Sequence, residues 1–262
     1  MDVDSILING DNILNFSPAK VGGRYVWTSS TTFTIGTAAK DTIFSDDTGA
    51  LIMKFNGTLV GDITNTGAGG LQTGSSEAAD TWYGIYIIGD TTLANAPKLL
   101  LIPDGVAFSE SGYDVKKLVS WVRNDNSSDF VHTKQVGDGI DRTHFILKVI
   151  SERRPLNSGS ATTPTLVICN KFVPPGSTLG LFAIDFETGS AGAADDYVDI
   201  NDPDSNQNTL LRCKPGFVSG DKSTFNIQCP LNANQEIEYD VQQGGTDENR
   251  ITIIVTGYII NL

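Results

Sequence analysis

Apolar residues recur along this chain at every second position far more often than at helical spacing, the pattern of half-buried β-strands. In the segment Arg250 to Tyr258, Ile251, Ile253, Val255 and Gly257 fall on one face. Arg250, Thr252, Ile254, Thr256 and Tyr258 fall on the other, which is polar but not wholly so. That second face is expected either to meet another subunit or domain, or to shield part of the neighbouring sheet through Ile254 and Tyr258.

The same alternation predicts strands at Tyr25 to Trp27, Thr31 to Ile35, Leu51 to Phe55, Thr81 to Ile88, Lys98 to Ile102 and Lys117 to Arg123. It continues at His144 to Ile150, Thr165 to Val173, Leu179 to Phe186, Thr209 to Cys213, Phe225 to Cys229, Glu236 to Val241 and Arg250 to Ile260. These runs are rich in Val, Ile, Thr, Tyr and Phe, which fit a pleated surface. Turn signals separate them: Asn9-Gly10, Asn56-Gly57, Pro103-Asp104-Gly105, Asp138-Gly139 and Gly244-Gly245. One helical candidate, Asp114 to Val119, continues better as a strand through Leu118 to Val122.

Three stretches of small and polar residues read as loops: Asn65 to Ala79, Asn157 to Pro164 and Gly189 to Asp196. The middle one separates two strand-rich halves. The expectation is therefore an all-β fold of two antiparallel β-sandwich, jelly-roll-like domains, 1–155 and 156–262. The first carries an N-terminal arm, Ile6-Leu7-Ile8 to Phe16, which serves either for attachment to a neighbour or as an ordinary first edge strand.

Composition narrows the class. With 39% hydrophobic and 19% charged residues among 262, the chain has neither a disordered nor a membrane composition. No apolar run approaches the roughly 20 residues of a membrane-spanning helix, so no membrane insertion is expected. The acidic start, Met1-Asp2-Val3-Asp4, is unlike a secretory signal. A formal charge of −13, with 31 acids against 18 bases, argues against nucleic acid as a partner. Lys116-Lys117 and Arg153-Arg154 are isolated pairs, expected to solvate strand edges. Cys169, Cys213 and Cys229 have no CxxC spacing and read as reduced thiols packed as small hydrophobes.

Catalytic signatures are missing from the sequence. It contains no GxxxxGK[ST] loop, GxSxG elbow, HExxH helix or strand-linked GxGxxG. Of its two histidines, His144 lies in a strand pattern and is expected as a hydrogen-bonded wall residue, and His132 as a surface residue. A pair of carboxylates of the glycosidase type remains open among 31 acids, with no specific pair singled out. Asp202, Asp204, Asn206 and Asn208 alternate, with Asp199 just upstream, like the start of a calcium loop. Gln207 at the sixth position and Cys213 at the twelfth exclude an EF-hand, leaving a solvated acidic loop as the expectation. Trp82 and Trp121 sit in apolar strands and are expected in the core rather than on a sugar. Asn56-Gly57-Thr58 and Asn126-Ser127-Ser128 match the glycosylation sequon and read as turns. No catalytic, cofactor-binding or metal-binding residue is assigned.

An ordered set of short motifs remains. Gly70-Leu71-Gln72-Thr73-Gly74-Ser75 precedes the strand Thr81-Trp82-Tyr83-Gly84-Ile85-Tyr86, followed by Ser111-Gly112-Tyr113, Leu118 to Arg123 and the polar turn Asn124 to Phe130. Phe172-Val173-Pro174-Pro175, Glu236 to Tyr239 and Val255 to Tyr258 complete it. In this order the motifs resemble phage tail-fibre and capsid-associated virion proteins over residues 70 to 262, departing from them at Ser120-Trp121-Val122. The resemblance implies a non-enzymatic structural role in a bacteriophage virion, as tail fibre, adaptor or capsid-decorating protein. It implies no cofactor, other virion proteins as partners, a homo-oligomer such as a trimer or hexamer, and assembly in the host cytoplasm. A host-receptor or glycan-binding module and a polysaccharide-degrading hydrolase stand as alternatives.

Overall fold

The computed structural model describes residues 6–8, 11–13, 25–45, 52–136, 141–148, 150–189, 196–201, 203–204, 209–214, 222–242 and 249–261. Its strands are β1 Ile6–Ile8, β2 Asp11–Ile13, β3 Tyr25–Trp27, β4 Thr32–Ser45, β5 Ile52–Asp62, β6 Trp82–Gly89, β7 Lys98–Pro103, β8 Val115–Arg123 and β9 Thr133–Val136. They continue as β10 Asp141–Ile146, β11 Leu156–Gly159, β12 Thr165–Ile168, β13 Ser177–Glu187, β14 Tyr197–Asn201, β15 Thr209–Cys213, β16 Lys222–Pro230, β17 Glu236–Gln242 and β18 Arg250–Asn261. The fold is all-β and the named strand pairings are antiparallel. A 3₁₀ turn at Ile150–Arg153 is the one helical element among the described residues. The helical alternative at Asp114 to Val119 falls within β8.

The last eight strands form a jelly roll. One of its sheets runs β11-β18-β13-β16 and the other β12-β17-β14-β15, the order that two interlocked Greek keys produce. Val198, Ile200, Ile237, Val241, Phe182, Ile184, Phe186, Ile251, Ile253 and Val255 fill the space between them. The first half makes a second sandwich. There the sheet β7-β6-β8 covers β3, β4 and β5 around Tyr25, Phe33, Ile35, Tyr83, Ile85, Leu99, Leu101 and Val119.

A single nine-stranded sheet joins the two, in the order β16-β13-β18-β10-β9-β3-β4-β5 with β11 also on β18. Residues directly opposite each other in a ladder point to one face. Tyr258 lies opposite His144, His144 opposite Gln135, and Tyr25 opposite Ile35, so both cores sit on the same face of this sheet. The boundary drawn near residue 155 falls between β10 and β11. These two strands lie end to end on one edge of β18, β10 along residues 257–261 and β11 along Ile251 and Ile253.

Several local expectations change. Asn56-Gly57 lies inside β5, not at a turn: Gly57 has φ of +90° and the β4–β5 register shifts between Thr37 and Asp41. The strand expected at His144 to Ile150 begins and ends earlier, as β10, and the chain then enters the 3₁₀ turn. In β18, Phe182 pairs with Val255 but Leu181 with Gly257, leaving Thr256 as an extra residue. That bulge reverses the facing of the residues after it. Tyr258 is therefore fully buried in the core with Ile260, instead of on the outer face that unbroken alternation assigns it. The N-terminal segment is a hairpin of β1 with β2, a separate two-stranded sheet rather than the edge of a larger one.

The small-residue run 65–79 is an ordered edge cover. Gly69 N–H donates to Leu99 O, Leu101 N–H to Gly70 O and Gln72 N–H to Leu101 O, closing the free edge of β7. A Cβ at Gly70 would stand 2.2 Å from Asn65 O, so the approach requires glycine. Gln72, only 3% exposed, then bridges the following loop through Ala107 O and Ser109 N–H.

Candidate functional site

The most chemically loaded feature is a cleft where the two sandwiches meet. Its walls come from β6 (Trp82), the end of β8 (Arg123), the turn after it (Asp125 to Ser127), the segment after β10 (Lys148), the 3₁₀ turn (Glu152, Arg153) and the loop after β12 (Lys171, Phe172). Trp82 anchors the junction, donating from Nε1 to Asn170 O at 2.7 Å and meeting Tyr258 edge-on at 6.0 Å.

The polar run Asn124 to Asp129 closes on itself. Asp125 Oδ1 accepts from Ser127 N–H at 2.8 Å and Asp129 N–H at 3.1 Å, leaving Oδ2 for Lys148 Nζ at 2.5 Å. Burial works against the Asp125 charge, but Lys148 and those two amides outweigh it and hold the carboxyl below its ordinary value. Lys148 also reaches Glu152 at 3.2 Å, and despite partial burial its two carboxylate partners hold the ammonium above its ordinary value. Arg123 pairs with Asp80 at 2.5 Å.

Two cations lack such compensation. Arg153 donates from Nη1 to Ile146 O at 2.9 Å and has no carboxylate partner among the described residues, and burial alone pushes its guanidinium down. Lys171 is exposed and makes no ion pair among the described residues. The buried Nε atoms of Arg123 and Arg153 have no hydrogen-bond partner among the described residues. At its inner end, a cavity of about 20 Å³, the cleft gathers Arg123, Lys148, Arg153 and Lys171 against one acid, Glu152. The wider mouth, about 510 Å³, adds Asp80 and Asp125.

No family of cations along the sequence announces this site, because its members come from four separate segments. Arg153, expected to solvate a strand edge, is instead half-buried in the cleft. Trp121 is in the core as expected, at 7% exposure, while Trp82 lines the junction. His144 is fully buried, stacked on Tyr258 at 5.1 Å with Tyr25 on its other side at 6.1 Å. His132 is not a bare surface residue: it is half-buried and stacks on Trp27 at 4.2 Å.

The acidic stretch is described only at residues 196–201 and 203–204. Asp199 is a strand residue of β14 that accepts from Arg212 Nε and Nη2, at 2.8 and 2.7 Å, while Arg212 lies over the Tyr197 ring. Asp204 is in a turn, and Asp202, Asn206 and Asn208 lie outside the described residues. Among the described residues, no group of three or more His, Cys, Asp or Glu is placed to hold a metal ion. No described helix is long and apolar enough to cross a membrane.

No protein family matches the chain, and no curated protein does. Among solved structures, a Bacillus thuringiensis Cry1Da tryptic core variant aligns over 92% of this chain at 10% identity with a TM-score of 0.19. The chain spans 52% of that structure's length, and a likeness this slight carries no argument about fold or role.

Proposed function

We propose that this chain is a structural component of a bacteriophage virion, a tail-fibre, adaptor or capsid-decorating protein that works through symmetric contacts between copies and with other virion proteins. It is a non-enzymatic binder in this reading, assembled in the host cytoplasm. The observation that carries it is the exposed, partly apolar face of the nine-stranded sheet opposite the cores. Val60, Thr34, Val26, Lys134 and Phe145 stand in one row across the ladder, so three apolar residues alternate with a threonine and an exposed lysine; Val136 and Leu147 lie beside them, and the five apolar residues are between 39% and 55% exposed. Five large apolar side chains on a rigid sheet surface suit a contact between identical copies. The order of the turn and strand motifs from Gly70 to Tyr258 adds the phage context.

Light scattering of the purified chain tests the reading. The expected species is a trimer or hexamer, and Val136→Glu with Phe145→Glu is expected to return it to monomer with an unchanged far-ultraviolet spectrum. Both positions are exposed, so the fold tolerates the charges. A wild-type chain that stays monomeric at all concentrations sinks the proposal.

A further inference from the structure

We propose that the edge strand β12 of one copy docks into the outer-face groove of the next, Leu166 and Ile168 against Val136, Phe145 and Leu147, so that copies join head to tail. This docking rests on the assembly proposed above and names the surface that the exposed face meets.

Symmetry requires a second patch. A face that binds its own copy is satisfied at two chains, whereas a three-fold axis needs two different patches on each chain. Nine large hydrophobic residues are exposed among the described residues, and five of them belong to the face already described. Leu93 and Val106 stand singly in the turns after β6 and β7. Leu166 and Ile168, at 51% and 57%, remain as a pair on one face of β12, which ends its sheet. The two sheets of the jelly roll hold the core between them, so their outer faces look opposite ways. A chain therefore cannot dock its own β12 into its own groove.

Charge decides which patch meets which. The groove, about 600 Å³, is lined by Lys134, Lys148 and Arg153 beside Val136, Phe145 and Leu147, with no acid among its described lining residues. Lys148 is matched by Asp125 and Glu152 and adds nothing to the balance. Lys134 is exposed and, like Arg153, has no carboxylate partner among the described residues, which leaves two cations uncompensated. On the sheet of β12 the signs reverse. Glu238 lies directly opposite Leu166 and Glu236 opposite Ile168, so both acids share the face of the apolar pair. Asn232 donates to Glu236 at 2.9 Å, but neither acid meets a cation among the described residues. Asp199, farther along the sheet, is cancelled by Arg212. Two copies of a chain of net −13 repel except where patches of opposite sign meet. The groove set against itself would place Lys134 and Arg153 against their own kind, whereas β12 brings Glu236 and Glu238.

Light scattering of two full-chain variants and of their mixture tests the docking. Leu166→Lys with Ile168→Lys places each lysine at an exposed position opposite a glutamate, so the edge strand keeps its fold. This edge variant is expected to be monomeric where the wild type is a trimer or hexamer, a loss of mass of about three- to sixfold, with an unchanged far-ultraviolet spectrum. Val136→Glu with Phe145→Glu keeps β12 and loses the groove. Equal amounts of the two monomeric variants, mixed, are expected to give a one-to-one dimer that grows no further, because each pair holds one intact groove and one intact edge. An edge variant that assembles like the wild type overturns the proposal, and so does a mixture that stays monomeric at every concentration. Either result leaves the exposed face as a site of assembly; a monomeric wild type removes that reading as well.

Discussion

Cys169 and Cys213 are buried in the jelly-roll core, and that burial pushes their thiols up to about 12 and about 11. Cys229 lies beside them at 1% exposure, and all three carry reduced thiols. The thiolate is the reactive species, and at pH 8 a thiol at about 11 supplies roughly one thiolate in a thousand. Ellman's reagent at pH 8 is therefore expected to modify none of the three in the native protein and all three in denaturant; prompt native labelling would mean the core opens. This role was readable from an odd cysteine count in apolar strands. The partner of Asp199 was not, because an acidic run resembles a cation loop until Arg212 is placed on the adjacent strand. His132 misled in the same way: its sequence neighbours are polar, while Trp27 reaches it from β3.

At the scale of elements, β18 depends on one glycine. Opposite the bulge, a Cβ on Gly257 would stand 2.3 Å from the carbonyl oxygen of His144, a backbone atom that cannot swing aside. Gly257→Ala must therefore separate β10 from β18 just where the strand changes facing, next to buried Tyr258. The expected loss is about 1–3 kcal/mol, read as a lower urea midpoint at unchanged slope; an unchanged midpoint would show that the two strands are not so closely apposed. Alternation revealed β18 as a strand and nearly its full length, but not its bulge, since one extra residue leaves no mark when both phases are apolar. Beyond the N-terminal hairpin, three strands were missed for related reasons. β11 is a short run of small residues, β9 is half polar, and β14 carries Val198 and Ile200 on either side of Asp199, whose charge Arg212 of the next strand meets. The cleft was illegible altogether, because its cations meet only once two sandwiches have packed.

Whether the molecule behaves as two bodies or one turns on the shared sheet. A chain of two strand-rich halves joined by small residues leads to separate domains, and the jelly roll has the topology to stand alone. Its core, however, includes Trp121, Val131 and Ile146 from the first half. Its longest seam, β18, has β10 as its neighbour along residues 257–261. A fragment of residues 156–262 would expose that backbone edge and leave a gap beside Tyr258, where Trp82 packs in the whole chain. Open edges invite association, and gaps of this kind weaken cores by several kcal/mol. The fragment is thus expected to give no cooperative thermal transition, while the full chain gives one, with calorimetric and van't Hoff enthalpies in agreement once concentration is held fixed. Two resolved transitions, or a fragment that melts sharply alone, would show that the sheet is continuous in geometry but divided in energy. A single transition would mean that the cleft, whose walls come from both halves, is as rigid as the cores on either side of it.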